Sequence, residues 1–329
     1  MKIIVCTGDS HTCGQGADSI RTKYKPKGTS VYNTAGKGIS RGGNLETGSY
    51  VNLLRKMVGC DYTLTNGSAI RAQTGYPLVN DGVKLLGSYQ IPKGWRLHTV
   101  CLMETTTPAK LGVYLDGRLI REEVLYTAIP RYDHWSFRNI AVRCEVDQQV
   151  TLAPLEGDVY ISHIQHDRGE YALINSGVGS CTTKRYLDEC FSYCVGEFDP
   201  DIVVVEAQTI NDWIHYDSAQ LHGKLLNELL DRCKGLGAQV VYSTVAPIRG
   251  YQESKNFGIP YIDFIDQSRQ VGEREDLLFA DSHAAFLREY ATIPEEEQFD
   301  QLYVDNWHVN ARGHRIYANT IFHKLKEIL

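Results

Sequence analysis

At 329 residues, with 43% hydrophobic and 22% charged residues and a net charge of −6, the chain has the composition of a globular protein with room for two domains. Acidic and basic residues are mixed with no basic block, so no nucleic-acid partner is expected, and no stretch is apolar enough to span a bilayer, so no membrane role is expected. The nine cysteines are an odd, scattered set, and the apolar run before Gly8 is too short for a signal peptide, so reduced thiols in a cytoplasm are the expectation.

Residues 2 to 6 read as a buried strand, a β-branched apolar run that ends in the turn residues Thr7-Gly8-Asp9 and leaves Ser10 at its carboxyl end. A long glycine-punctuated segment follows, and then Tyr50, Leu53, Leu54 and Met57 recur at helical spacing, which predicts a helix near 47 to 58. From about 59 to 168 short strand-like runs dominate: Val100 to Met103, Gly112 to Leu115, Ile140 to Val142 and Val159 to Ile161. Leu115-Asp116-Gly117-Arg118 reads as a hairpin turn, and the whole stretch as a β-rich, sandwich-like insert.

Beyond it, strands and helices alternate. Tyr171 to Ile174 reads as strand, Lys184 to Val195 as helix, Asp201 to Glu206 as a buried strand and Ala219 to Leu236 as an amphipathic helix. Ala238 to Tyr242 and Tyr261 to Phe264 read as further strands, and Asn310 as the cap of a last helix that faces the core with Tyr317, Ile321, Leu325 and Ile328. Such alternation predicts a parallel sheet with helices on both faces and ligands at the carboxyl ends of its strands. The expected domains are 1–58 joined to 169–329, interrupted by 59–168.

Acyl transfer needs a nucleophile, a base with an orienting acid, and donors for the oxyanion. Ser10, at a turn leading into a helix, is the candidate nucleophile and offers its own N–H. Asp305-Asn306-Trp307-His308 supplies base and orienter three residues apart, a spacing at which a turn sets both on one side. Asn175-Ser176-Gly177-Val178-Gly179-Ser180 is a loop whose amides can face a ligand, with Gly179 or Ser180 as second donor. The Asn211 side-chain amide, in Thr209-Ile210-Asn211-Asp212, offers a third donor that does not titrate. His11 is left as a substrate contact or a solvent-facing side chain, His314 as a structural hydrogen bonder, and Asp281-Ser282-His283 as a second acid–histidine pair with no clear strand leading into it.

The order of these four blocks resembles the SGNH, or GDSL, hydrolases, over about residues 3–16, 171–187, 200–213 and 302–321. The resemblance implies a three-layer α/β/α flavodoxin-like domain, with Ser10 as nucleophile, His308 as base, Asp305 as its partner and Ser10, the glycine loop and Asn211 as oxyanion donors. Two positions depart from the pattern: Ser180 and Thr209 stand where the family usually has glycine. A Ser180 amide still donates unless its conformation demands a positive φ.

There is no Gly-x-Ser-x-Gly elbow, dinucleotide fingerprint, phosphate loop or His-Glu-x-x-His, and no cofactor or metal is expected; Cys190 and Cys194 read as buried thiols on one helix face. The aromatic and polar residues Tyr62, Trp95, Tyr114, Tyr126, Tyr132, His134 and Trp135 suit a carbohydrate, and they suit the insert's own core equally well. The expected activity is removal of O-acetyl or other short acyl groups from a small-molecule or glycan ester. The rivals are an esterase, thioesterase or lysophospholipase for longer chains, and a catalytically silent glycan binder. A homo-oligomer is left open.

Overall fold

The structure is a computed structural model that describes residues 1–14, 16–17, 48–66, 83–127 and 135–329, without the side chains of 66 and 135–137. The chain divides into two compact units, one formed by Lys2–Gly59 with Leu173–Leu329, the other by Cys60–Ala172 with Met1.

The first unit is built on five strands in the order Tyr171–Asn175, Lys2–Thr7, Ile202–Glu206, Gln239–Ser243, Leu278–Ala280. Numbered along the chain, this is the order 2-1-3-4-5 of flavodoxin-like sheets, whose ligands sit where the winding reverses, between strands 1 and 3. Ile4 pairs Ile202 and Val241 pairs Leu278 in parallel register. The bonds from Ser176 N–H to Cys6 O and from Val178 N–H to Gly8 O step up together, so the first two strands also run the same way. Ile202 to Glu206 is buried at every position, the pattern of a strand covered on both faces. Two helix groups supply the cover: Ala311–Leu325 packs with Tyr50–Val58 and Ser282–Tyr290, and Ala219–Gly235 packs with Tyr261–Gly272. The result is the three-layer α/β/α architecture.

Several local readings shift. The helix expected near 47 to 58 begins at Tyr50, because Ser49 caps it by accepting from Asn52 N–H, and it ends at the left-handed Gly59. Residues 184 to 195 are not one regular helix: Tyr186–Cys190 is a π turn. Tyr186, Cys190 and Cys194 are all buried, so the four-residue step stays on the core-facing side through the widened turn. Tyr261 to Phe264, expected as strand, opens the helix Tyr261–Gly272, with Tyr261, Phe264, Ile265, Ser268 and Val271 buried at helical spacing. The fifth strand is instead Leu278–Ala280, and it leads directly into Asp281-Ser282-His283, where no strand was expected.

The second unit holds two antiparallel sheets. One runs Tyr62–Asn66, Tyr160–Asp167, Leu97–Thr105, Trp135–Arg143, and the other Tyr89–Gln90, Val150–Glu156, Ala109–Leu115, Arg118–Leu125. Val100, Ile140 and Ile161 of the first share one buried cluster with Leu111, Val113 and Leu152 of the second, as in a sandwich. Asp116 and Gly117 both have positive φ, 50° and 81°, the turn that matches strand twist. Among the described residues no helix is long and apolar enough to cross a membrane.

Close backbone approach fixes the glycine loop of the first unit. A Cβ on Gly177 would lie 2.5 Å from Cys13 N and 2.7 Å from Thr12 C, both backbone atoms that have no rotamer to give. Gly177→Ala is therefore expected to destabilise by about 1–3 kcal/mol in chemical denaturation. Gly235→Ala, at a helical position with nothing within 4 Å, should be neutral or slightly stabilising. Equal midpoints for the two variants would contradict this packing.

Candidate active site

Ser10 opens the short helix Ser10–Cys13, which Asp9 caps by accepting from His11 N–H at 3.1 Å. Gly8 before it has no room for a side chain: a Cβ would fall 2.3 Å from Thr12 Oγ1 and 2.5 Å from Glu206 Oε2. The strand thus turns tightly enough to set Ser10 at the sheet's carboxyl edge.

The two ends of the chain meet there. Ser10 Oγ lies 2.9 Å from His308 Nε2, and His308 Nδ1 lies 3.0 and 3.1 Å from the two oxygens of Asp305. Asp305 Oδ1 also accepts the backbone N–H groups of Trp307 and His308, each at 2.8 Å. One carboxylate therefore folds its own loop and holds the ring, which is the physical content of the three-residue spacing. The loop is closed by a bridge between Tyr303 and Val309 and tied to Arg249, whose N–H donates to Asn306 O at 3.2 Å. Ser10 is buried, while the His308 and Asp305 side chains keep 15% and 20% of their surface, so the imidazole is reachable.

Asn211 lies in the helix Thr209–His215, which follows the third strand, and its Nδ2 donates to Asp9 Oδ2 at 2.7 Å. One amide hydrogen is used in that bond, and the planar group is aimed by it, leaving the second hydrogen for a ligand. In the glycine loop Gly179 is buried and Ser180 exposed, and Ser180 has φ 54°. The condition set for a Ser180 donor is not met, because this backbone is the left-handed one that strains a side chain.

Sequence reasoning missed the layer beneath. His11 is fully buried, neither a substrate contact nor solvent-facing. Its Nδ1 sits 3.4 Å from Asp9 Oδ1 and 3.5 Å from Glu206 Oε1, and its Nε2 is 2.9 Å from Trp307 O. Burial opposes charge on His11, but the two carboxylates outweigh it and push the imidazole up to about 10. Burial pushes Glu206 up to about 7, with repulsion from Asp9 adding to it. Asp9, equally buried, is lowered because the His11 contacts outweigh desolvation.

These three residues are the one described group whose donor atoms lie within metal-sharing distance, 4.8 Å. Asp9 Oδ2 accepts from Asn211, Asp9 Oδ1 from the His11 N–H and Glu206 Oε2 from Thr12 Oγ1 at 2.9 Å, while His11 Nδ1 and Glu206 Oε1 face each other at ion-pair distance without a hydrogen bond. The group reads as a buried ion pair.

Asp212 is the second buried anchor. It accepts from Thr183 N–H at 2.8 Å and from Thr183 Oγ1 at 2.6 Å, and lies 2.7 Å from His222 Nδ1. This joins the segment after the glycine loop to the helix that carries Asn211. His314 has the structural bond expected of it, accepting from Tyr50 N–H at 3.3 Å. His283 is fully buried and does not line the cavity beside the base. That cavity, about 220 Å³, is lined by Trp213, Ile248, Arg249, Ser254, Asn306 and Trp307. Of the insert aromatics, Tyr132 and His134 lie outside the described residues, as does the Trp135 side chain. Trp95 is engaged within its own unit, under the Arg168 guanidinium at 4.9 Å and beside His166.

No protein-family model matches the chain, and no curated protein sequence matches it. Among solved structures it is similar to a peptidoglycan O-acetylesterase at 13% identity, covering 100% of this chain and 91% of that one with a TM-score of 0.51. A Bacillus subtilis protein, YxiM, aligns at 15% identity over 81% of this chain and 88% of that one, TM-score 0.47. A Geobacillus stearothermophilus acetylxylan esterase aligns at 19% identity over 47% and 72%, TM-score 0.40. The full-length likeness agrees with the strand order, and the fold is that of the SGNH esterases.

The buried trio has a signature in stability. Glu206 and His11 both hold protons more tightly folded than unfolded, so their stabilisation is present at low pH and lost as pH rises. The windows are 4.5 to about 7 for Glu206 and 6.5 to about 10 for His11, while Asp9, lowered from 3.8, loses its contribution only on acidification. The melting temperature should fall from about pH 5 to pH 10. Glu206→Gln should flatten the lower half of that fall; a profile unchanged by it would remove Glu206 as the titrating group.

Proposed function

We propose that this SGNH-fold chain is a metal-independent serine ester hydrolase that removes O-acetyl or similar short acyl groups from carbohydrates. The observation that carries the reading is the relay from Ser10 Oγ through His308, 2.9 Å on one side and 3.0 Å on the other, to Asp305. His308 Nε2 takes the hydroxyl proton as Ser10 attacks the acyl carbon, and Asp305 holds Nδ1–H and stabilises the imidazolium. Ser10 N–H, Gly179 N–H and the free Asn211 amide hydrogen receive the oxyanion. The imidazolium then protonates the leaving sugar oxygen, and a water activated by His308 releases the acid from the acyl-enzyme.

The cavity beside His308 supports the choice of substrate. Trp213 and Trp307 have ring centroids 6.2 Å apart, and they stand among Arg249, Ser254 and Asn306, with Ile248 the one aliphatic lining residue. Aromatic faces with polar groups between them suit a sugar ring, whereas an eight-carbon chain needs a continuous apolar channel. The solved structure aligned over the full chain is a peptidoglycan O-acetylesterase. The division of the chain at 58 and 168 and a cytoplasmic site of action belong to the same proposal.

Acetate release from a panel of acetylated sugars, by wild type and Ser10→Ala, tests the activity. Ser10→Ala should lose at least about a thousandfold in kcat, and a serine-directed phosphonate should label wild type at Ser10. A wild type that hydrolyses no ester and takes no label would instead be the silent glycan binder. A chain-length profile peaking at two carbons supports the short-acyl reading, and a peak at eight or more overturns it.

Asn211→Ala should cost about 3–4 kcal/mol of transition-state stabilisation, seen in kcat rather than KM. Trp213→Ala should raise KM for an acetylated sugar about tenfold and act less on nitrophenyl acetate. Equal effects on both substrates would place the sugar elsewhere.

A further inference from the structure

Two consecutive residues of the nucleophile's helix are bonded to two consecutive residues of the base's loop. Ser10 Oγ meets His308 Nε2 at 2.9 Å, and His11 Nε2 meets Trp307 O at 2.9 Å. A carbonyl only accepts, so His11 Nε2 carries a hydrogen. Its Nδ1, facing one oxygen of Asp9 and one of Glu206 at 3.4 and 3.5 Å, carries another, because a bare lone pair there would oppose two carboxylates.

The other groups around the carboxylates add no proton to this balance. Tyr50, Tyr261 and Tyr317, from three different helices, are held neutral as burial raises each phenol, and Thr12 donates to Glu206. Beyond His11, His308 is the further histidine whose charge Asp9 would feel.

We propose that His11 is a positioning residue: an imidazolium fixed by Asp9 and Glu206 that grips the Trp307 carbonyl and so holds the loop presenting His308. This rests on the reading of Ser10 and His308 as nucleophile and base. The two cross-links differ in fate. The Ser10–His308 bond is given up each time the proton moves and an acyl group occupies the oxygen, whereas the His11–Trp307 bond lies outside the reacting atoms and persists. His11 is adjacent to Ser10 in the same helical turn, so any drift of the base loop is referred directly to the nucleophile's backbone.

The test compares wild type, His11→Leu and His11→Gln in steady-state hydrolysis of an acetyl ester and in the rate of phosphonate labelling at Ser10. Leucine removes the donor. Glutamine keeps an amide that reaches the carbonyl. His11→Leu is expected to lower kcat and the labelling rate together by about tenfold to a hundredfold, the range of a small misplacement of the base, with KM within about twofold. His11→Gln should recover most of that loss.

A His11→Leu enzyme within twofold of wild type overturns the proposal, and so does equal impairment of both variants, which would mean lost packing alone. Should His11→Leu fail to fold, judged by its thermal melt, the isosteric Glu206→Gln carries the test. A kcat lowered about threefold at unchanged KM supports the clamp, and an unchanged kcat overturns it. An unlabelled, inactive wild type overturns the Ser10 reading itself and this inference with it. A labelled wild type with an equally labelled His11→Leu overturns the inference alone.

Discussion

A carboxylate with no access to water organises the site. Asp9 is fully buried, and a lone buried charge of that kind costs several kcal/mol unless it is paired and hydrogen-bonded. Its partners are therefore fixed. One oxygen caps the helix that begins at Ser10 and faces the His11 ring; the other receives the Asn211 amide. Removing water from Asp9 thus converts three separate side-chain positions into one connected arrangement, with little freedom left in any of them.

The same economy recurs one layer out. Asp212, also fully buried, gathers Thr183 and His222, and His222 Nε2 in turn lies 2.9 Å from Ser268 Oγ, which is 3.0 Å from Thr209 Oγ1. Four segments of the first unit meet in that chain of bonds: the end of the glycine loop, the Asn211 helix and the two helices at 219–235 and 261–272. Such networks are costly when partly satisfied and rigid when complete. Here the network adjoins the residues proposed as oxyanion donors, where rigidity is useful because such donors must not reorganise as charge develops.

How legible this was from sequence depends on the range of each interaction. The strands at 2–7, 171–175, 202–206 and 239–243 are continuous apolar runs, and burial on both faces leaves that mark whatever the tertiary detail. The setting of Ser10, Asp305 and His308 in turns before helices was readable because such a turn constrains residue types over three or four positions. The helix at 261–272 was misread, since Tyr261 to Phe264 is a short apolar run that periodicity alone does not assign, and its helical face emerges only with Ile265, Ser268 and Val271. The fifth strand, three residues long, is too short to carry a period.

His11 and Glu206 were illegible for a different reason: they lie 195 positions apart, and a buried ion pair has no sequence period. A signal was present all the same. Glu206 ends a run of aliphatic residues in a strand that is buried throughout, and an acid there demands a counter-charge from a neighbouring strand's end.

That pairing also bears on why the site contains two classes of ionisable group. In the proposed mechanism the relay formed by Ser10, His308 and Asp305 changes its proton count in every turnover, and it retains partial exposure, 15% at the imidazole and 20% at its acid. The trio of Asp9, His11 and Glu206 has at most 1% side-chain exposure and lies outside the proposed path of the proton. A geometry held by the second class does not loosen when the first class cycles. Had the base loop been fixed through the catalytic imidazole alone, each proton transfer would weaken the bond that keeps nucleophile and base in register. On the proposed roles, dividing the two duties between adjacent residues, 10 with 308 and 11 with 307, separates the bond that reacts from the bond that positions.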